Sequence, residues 1–184
     1  MLFIKRLILI LILATMASAY SSTMKNRGIE IMVNDPSLVN HEMVSEMLDW
    51  IGENGPYPKL LNQTVDIRFA NKKFMQGEWE RNGGGIKLDI YAMTTLEIAT
   101  RKVIVFLPIG FDWTSQREQT HLVHELVHNQ QYTYYKDYNI DCNAELEYEA
   151  YMLALMWFGE QGFEDDVFVE DRLGKIDSYA ACQG

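Results

Sequence analysis

Within this 184-residue chain the residues best placed to do chemistry are His124, Glu125 and His128. They form an H-E-x-x-H unit inside the run H-L-V-H-E-L-V-H-N-Q-Q-Y at residues 121–132. On a helix, residues four apart lie one above the other on the same face. Both imidazoles can then reach one metal ion, with the Glu125 carboxylate beside them. A zinc ion held this way acidifies a bound water, and the adjacent carboxylate takes up its proton. The expectation is a zinc-dependent hydrolase with Glu125 as general base, acting on a peptide or protein substrate.

Two histidines do not hold a catalytic zinc alone; three protein ligands plus water are usual. A third histidine six residues after His128, with glycine midway, is ruled out, because those positions hold Tyr134 and Gln131. The remaining candidates are Glu145, Glu147 and Glu149 on the helix that follows. At about 100° per residue, Glu147 shares a face with Ala150, Tyr151, Ala154 and Phe158. Glu145 and Glu149 fall opposite, with Met152, Leu153 and Met156. The two alanines permit a close approach of the helices, as a shared metal requires, which favours Glu147; Glu145 and Glu149 stay as alternatives. An oxyanion donor is also required. His121, Tyr132, Tyr134, Tyr135 and Tyr151 are unranked candidates for that role or for support of the ligands. His41 reads as a surface residue, and Met43, Met47, Met152 and Met156 as core filling.

The H-E-L-V-H followed by a glutamate on the next helix resembles the gluzincin branch of zinc peptidases. Residues 147–151, E-Y-E-A-Y, are similar to the E-x-x-A and E-x-x-x-D patterns that supply the glutamate ligand there. Position 151 is Tyr where several of those families keep Asp beside a zinc-bound histidine. More closely, L-V-H-E-L-V-H-x-x-Q at 122–131, Cys142, E-x-x-A-Y at 147–151 and Trp157-Phe158 resemble a family of small exported bacterial proteins described only as domains of unknown function. The resemblance spans about residues 100–160. It implies a zincin-like fold and one zinc ion on His124, His128 and Glu147. It also implies a strand edge beside the metal that aligns the substrate, a place given to residues 102–107.

Several elements must position these groups. Asp35-Pro36 marks a helix start, and Val39, Met43, Met47, Trp50 and Ile51 predict a helix over residues 36–53. Strands are expected at residues 29–33, 65–69, 86–90 and 102–107, the last continuously apolar and so buried. Residues 75–81 are ambiguous. The period turns helical from about residue 114, and a second helix is predicted over 143–160, apolar almost all round and so buried. The tail from Gly162 alternates acidic and apolar residues. These elements make a single α+β domain: an N-terminal helix, a small antiparallel or mixed sheet, and a C-terminal helix pair carrying the metal site.

Residues 1–19 have a basic start (Lys5, Arg6), an apolar run and a small-x-small end at Ala17-Ser18-Ala19. This is the layout of a secretory signal peptide, cleaved near Ala19–Tyr20. The mature domain, residues 20–184, is then periplasmic or secreted, with no membrane role beyond the leader. Loss of Lys5 and Arg6 takes the net charge from −10 to −12, which argues against nucleic acid as a partner. Cys142 and Cys182 suggest a disulfide in an oxidising compartment, worth roughly 3–4 kcal/mol on loop entropy, against an alternative of two free thiols. The rival functional reading is an exported module that keeps the scaffold for binding or structure without catalysis.

Overall fold

The computed structural model describes residues 30–57, 64–81, 92–97, 102–134 and 143–179. The leader, the expected strand at 86–90, Tyr135 and both cysteines lie outside the described residues. In chain order the elements are β1 (Glu30–Val33), a short 3-10 turn (Pro36–Leu38), α1 (His41–Asn54), β2 (Thr64–Ala70) and α2 (Lys72–Arg81). There follow β3 (Met93–Glu97), β4 (Lys102–Pro108), α3 (Gln116–Tyr134), α4 (Asn143–Glu160) and α5 (Asp166–Tyr179). The result is a mixed α+β domain. No helix among the described residues is long and apolar enough to cross a membrane.

The four strands make one mixed sheet in the order β1-β2-β4-β3. β1 runs parallel to β2 and β2 to β4, whereas β3 is antiparallel to β4. Asn34 prolongs the β1–β2 ladder with its side chain, accepting from Phe69 N at 2.9 Å and donating to Phe69 O at 3.1 Å. Residues 102–107 are continuously apolar because both faces of β4 are covered. Val105 and Leu107 point into the main core, while Ile104 and Phe106 point the other way against Met75 of α2, as the two-residue period requires. β4 lies between β2 and β3. It therefore offers no free edge to a substrate, contrary to the expectation for residues 102–107.

The main core fills the space between the sheet and the helices α1, α3 and α4. Leu122, Val123, Leu126 and Val127, all on the back of α3, are fully buried there against Val65, Ile67 and Val105. Burying each such side chain stabilises by about 1.5–3 kcal/mol, so α3 is held rigidly by the face opposite its chemistry. From α4, Ala150 and Ala154 enter the same core, and their small size allows the two helices to sit close together.

Three elements differ from the sequence expectation. The predicted helix over 36–53 is split: Asp35 caps only the 3-10 turn, Val39 is extended, and Asn40 caps α1 by accepting from Met43 N at 3.1 Å. Residues 72–81 form α2, capped by Asn71, whose side chain accepts from Phe74 N; its one buried residue, Met75, leaves little helical period to read. The tail forms α5, started by Asp165, which accepts from Phe168 N at 3.0 Å. Phe168 packs on Phe158 of α4 with ring centroids 5.2 Å apart, so α5 covers part of the outer side of α4. That explains why α4 is apolar nearly all round. The cover is incomplete, because Met156 is 42% exposed rather than core filling.

Candidate metal centre

His124 and His128 stand one turn apart on the inner face of α3, both buried. Their rings meet edge to face, with centroids 4.6 Å apart, and their Nε2 atoms are 3.0 Å apart. Across the helix interface, Glu147 of α4 straddles the pair. Its Oε2 is 3.4 Å from His124 Nε2 and its Oε1 is 3.4 Å from His128 Nε2. One ligand atom from each residue lies within 4.8 Å of the others. Two imidazoles and one carboxylate, converging by their ends, make a set that can hold a metal ion. The Glu147 side chain is one-third exposed, which leaves an approach from solvent on that side. Glu147 is thus the glutamate that meets the histidines.

The electrostatics of the triad are coupled. Burial disfavours charge on all three groups. For His124 it prevails, and the ring is held below its ordinary value. For His128 the hydrogen bond to Glu147 and the charges of Glu125 and Glu147 outweigh burial, and the ring is pushed up to about 9. The two imidazoles hold the Glu147 carboxyl well below the usual carboxylate range despite its burial. The triad thus sets an imidazole that burial keeps from charging beside one whose charged form is favoured by the two carboxylates. Glu125 sits between the two histidines on α3, and its charge is felt by both imidazoles and by Tyr132. Its backbone carbonyl accepts from Thr94 Oγ1 at 2.8 Å, which ties β3 to the helix beside the site.

The other predicted site residues are distributed differently. Glu145 is exposed and meets no ligand. Glu149 is not turned away as the helical projection implies. Its Oε2 accepts from Gln131 Nε2 at 2.8 Å and from the Tyr57 hydroxyl, because α4 lies close enough to α3 for a long side chain to reach across. Tyr151 lays its ring on His124 with centroids 4.3 Å apart, forming a wall on that side of the imidazole. His124 Nδ1 is buried with no hydrogen-bond partner among the described residues. Tyr132 lies one turn past His128, ring centroids 6.3 Å apart. Burial and the charges of Glu147 and Glu125 raise its pKa, so its hydroxyl stays protonated. Tyr134 instead packs on Tyr57 at the helix end, with ring centroids 6.2 Å apart.

His121 is drawn away from the centre toward α5. Its Nε2 accepts from Arg172 at 3.1 Å and its ring packs on Phe168. Arg172 lies over both Phe168 and Tyr151, 4.8 Å and 5.5 Å from their centroids. Arg172 and Tyr57 were not expected from the sequence, and Glu149 was expected only as an alternative third ligand, not as a partner of Gln131. Gln131 alone carried a local signal, since it lies three residues after His128 and so shares its face. Its amide reaches His128 Nδ1 at 2.7 Å. Tyr57 is brought in by the turn after α1. Gly55 caps that helix by donating to Ile51 O, and a Cβ there would lie 2.9 Å from both Ile51 O and the Tyr57 ring.

Fold and site together define a mixed α+β domain in which two histidines of one helix and a glutamate of the next can bind a metal. Residues 36–172 match the family described as Domain of unknown function (DUF6647), and the chain belongs to that family. No curated protein and no solved structure matches it.

Proposed function

We propose that this protein is an exported zinc metallohydrolase that cleaves peptide bonds. The observation that carries the reading is the convergence of His124, His128 and Glu147 within 4.8 Å, with Glu125 between the two histidines. A nitrogen–nitrogen–oxygen donor set suits zinc, and three protein ligands with one side toward solvent are the arrangement of a catalytic rather than a closed structural site. Zinc in this place supplies a Lewis acid and a water acidic enough to ionise near neutral pH.

The chain's own residues supply the rest. Glu125, not itself a ligand, accepts the proton of the attacking water and returns it to the leaving amine. Tyr132, kept protonated beside the site, is the best-placed hydroxyl to donate to the developing oxyanion. β3, one of the two edge strands of the described sheet and the one tied to Glu125 through Thr94, takes the substrate-aligning role in place of β4. The N-terminal layout of residues 1–19 directs the mature chain to the periplasm or the medium.

Metal analysis of the purified protein tests the first half of this reading: stoichiometric zinc is expected, and its loss in His128→Ala. Absence of zinc after attempted loading would overturn it. A peptide-library digest with and without chelator tests the second half. Zinc-loaded protein that cleaves nothing, or cleaves equally well as Glu125→Gln, identifies a non-catalytic scaffold instead.

A further inference from the structure

The amide of Gln131 is fully buried between α3 and α4, and its two ends are not interchangeable. Its Nε2 donates to the carbonyl oxygen of Leu146 at 2.9 Å and to Glu149 Oε2 at 2.8 Å. A backbone carbonyl only accepts, so the amino end of the amide must face that way. Glu149 is held in turn by the Tyr57 hydroxyl, which donates to the same oxygen. The carbonyl end of Gln131 then faces His128 Nδ1 at 2.7 Å. That oxygen also only accepts, so Nδ1 must carry a hydrogen. In the neutral ring the lone pair is left on Nε2, the atom that meets His124 Nε2 and Glu147 Oε1.

We infer that Gln131 is a positioning residue for the metal centre: it selects the Nδ1–H tautomer of His128, presents Nε2 as the ligating atom, and is itself held by Leu146, Glu149 and Tyr57. The inference rests on the metal-binding reading above and deepens it. It also makes the two histidines unequal. His128 has its outer nitrogen satisfied, whereas His124 Nδ1 has no partner among the described residues. The orientation of the first ligand ring is thus left to packing against Tyr151, and that of the second to a hydrogen-bonded chain reaching back to the turn after α1.

Outer partners of metal-bound histidines typically change metal affinity by about 10–100-fold. Gln131→Met keeps the length of the side chain and removes the acceptor, so zinc affinity, measured by competition with a chromophoric chelator, should fall within that range. Gln131→Glu keeps an acceptor for His128 but sets a carboxylate against both the Leu146 carbonyl and Glu149, and should also weaken binding. Adding Glu149→Gln to it relieves the repulsion between the two carboxylates but leaves the Leu146 carbonyl without that donor, and should recover part of the loss. A merely structural amide would lower thermal stability in all three without this order of affinities. Long-range 1H–15N spectra read the tautomer directly: His128 should be protonated at Nδ1 in the zinc-loaded protein and in metal-free protein well above pH 9. A wild-type His128 protonated at Nε2 under those conditions, or unchanged zinc affinity in a folded Gln131→Met protein, overturns the inference. Because the tautomer is also read without metal, failure to bind zinc sinks the proposed function and leaves this test standing. If Gln131→Met does not fold, the wild-type spectrum still decides.

Discussion

Replacing Glu147 with glutamine keeps the shape of the residue and removes the hydrogen-bonded carboxylate that, together with the charge of Glu125, holds a proton on His128. The folded, metal-free chain raises the His128 pKa from its ordinary 6.5 to about 9. Between those two values the folded state binds more proton than the unfolded one, so stability falls as pH rises through the window. At 1.36 kcal/mol per pH unit of pKa difference, the contribution is about 3 kcal/mol. It is fully present below pH 6.5 and gone above about pH 9. His124, whose pKa is lowered by burial, acts in the opposite sense but only below 6.5, so it does not enter this window. Glu147, held low by the imidazoles, contributes above its ordinary 4.5 and loses that contribution as pH falls through its folded value.

The assay is urea unfolding of chelator-treated protein at a series of pH values, with linear extrapolation to water. The wild-type unfolding free energy should drop by about 3 kcal/mol from pH 6.5 to 9, and Glu147→Gln should reduce that slope, because it removes the hydrogen-bonded carboxylate and leaves Glu125 as the only nearby charge among the described residues favouring the imidazolium. A flat wild-type profile would show that His128 is not charged in the metal-free fold. An equal slope in Glu147→Gln would place the proton elsewhere, and either result refutes the description of the triad.

The same proton sets the metal's pH dependence. Zinc must displace it, so its apparent affinity should rise about tenfold per pH unit up to about 9, with about one proton released per zinc when calorimetry is run in buffers of different ionisation enthalpy. Glu147→Ala should strip the metal while Glu145→Ala leaves it bound; retention in the first or loss in the second would reassign the third ligand. Glu125→Gln should keep stoichiometric zinc and lower peptide hydrolysis by about 10²-fold or more, read as kcat on the best substrate from a library digest. Leu126→Ala, on the fully buried back of α3, should cost about 2–5 kcal/mol in the urea assay, and a loss below about 1 kcal/mol would contradict the packing described for that helix.

The primary sequence determined the pairing of His124 with His128 by itself, because four-residue spacing on a helix is a local property: once residues 121–132 are helical, the two rings share a face whatever the rest of the chain does. It also marked Glu147, since the small residues beside it, Ala150 and Ala154, foretold a close helix contact. The buried strands were legible for the same reason, β2 from its two-residue period and β4 from its unbroken apolar run, both written into consecutive positions. What tertiary structure alone decided is everything that depends on distance along the chain. Tyr57 and Glu149 are 92 residues apart in sequence yet share a hydrogen bond, and no local pattern announces that. Glu149 projects away from Glu147 on a helical wheel, but the wheel says nothing of how near the neighbouring helix lies or how far a glutamate reaches. Sheet order was equally hidden: among the described residues β4 became internal and β1 and β3 the edges because of which strands pair, although the continuous apolar run of β4 already marked it as buried. The helices α2 and α5 escaped notice because they bury few side chains, Met75 in one and Phe168 and Ile176 in the other, and a helix held by so few contacts leaves only a faint period in its sequence.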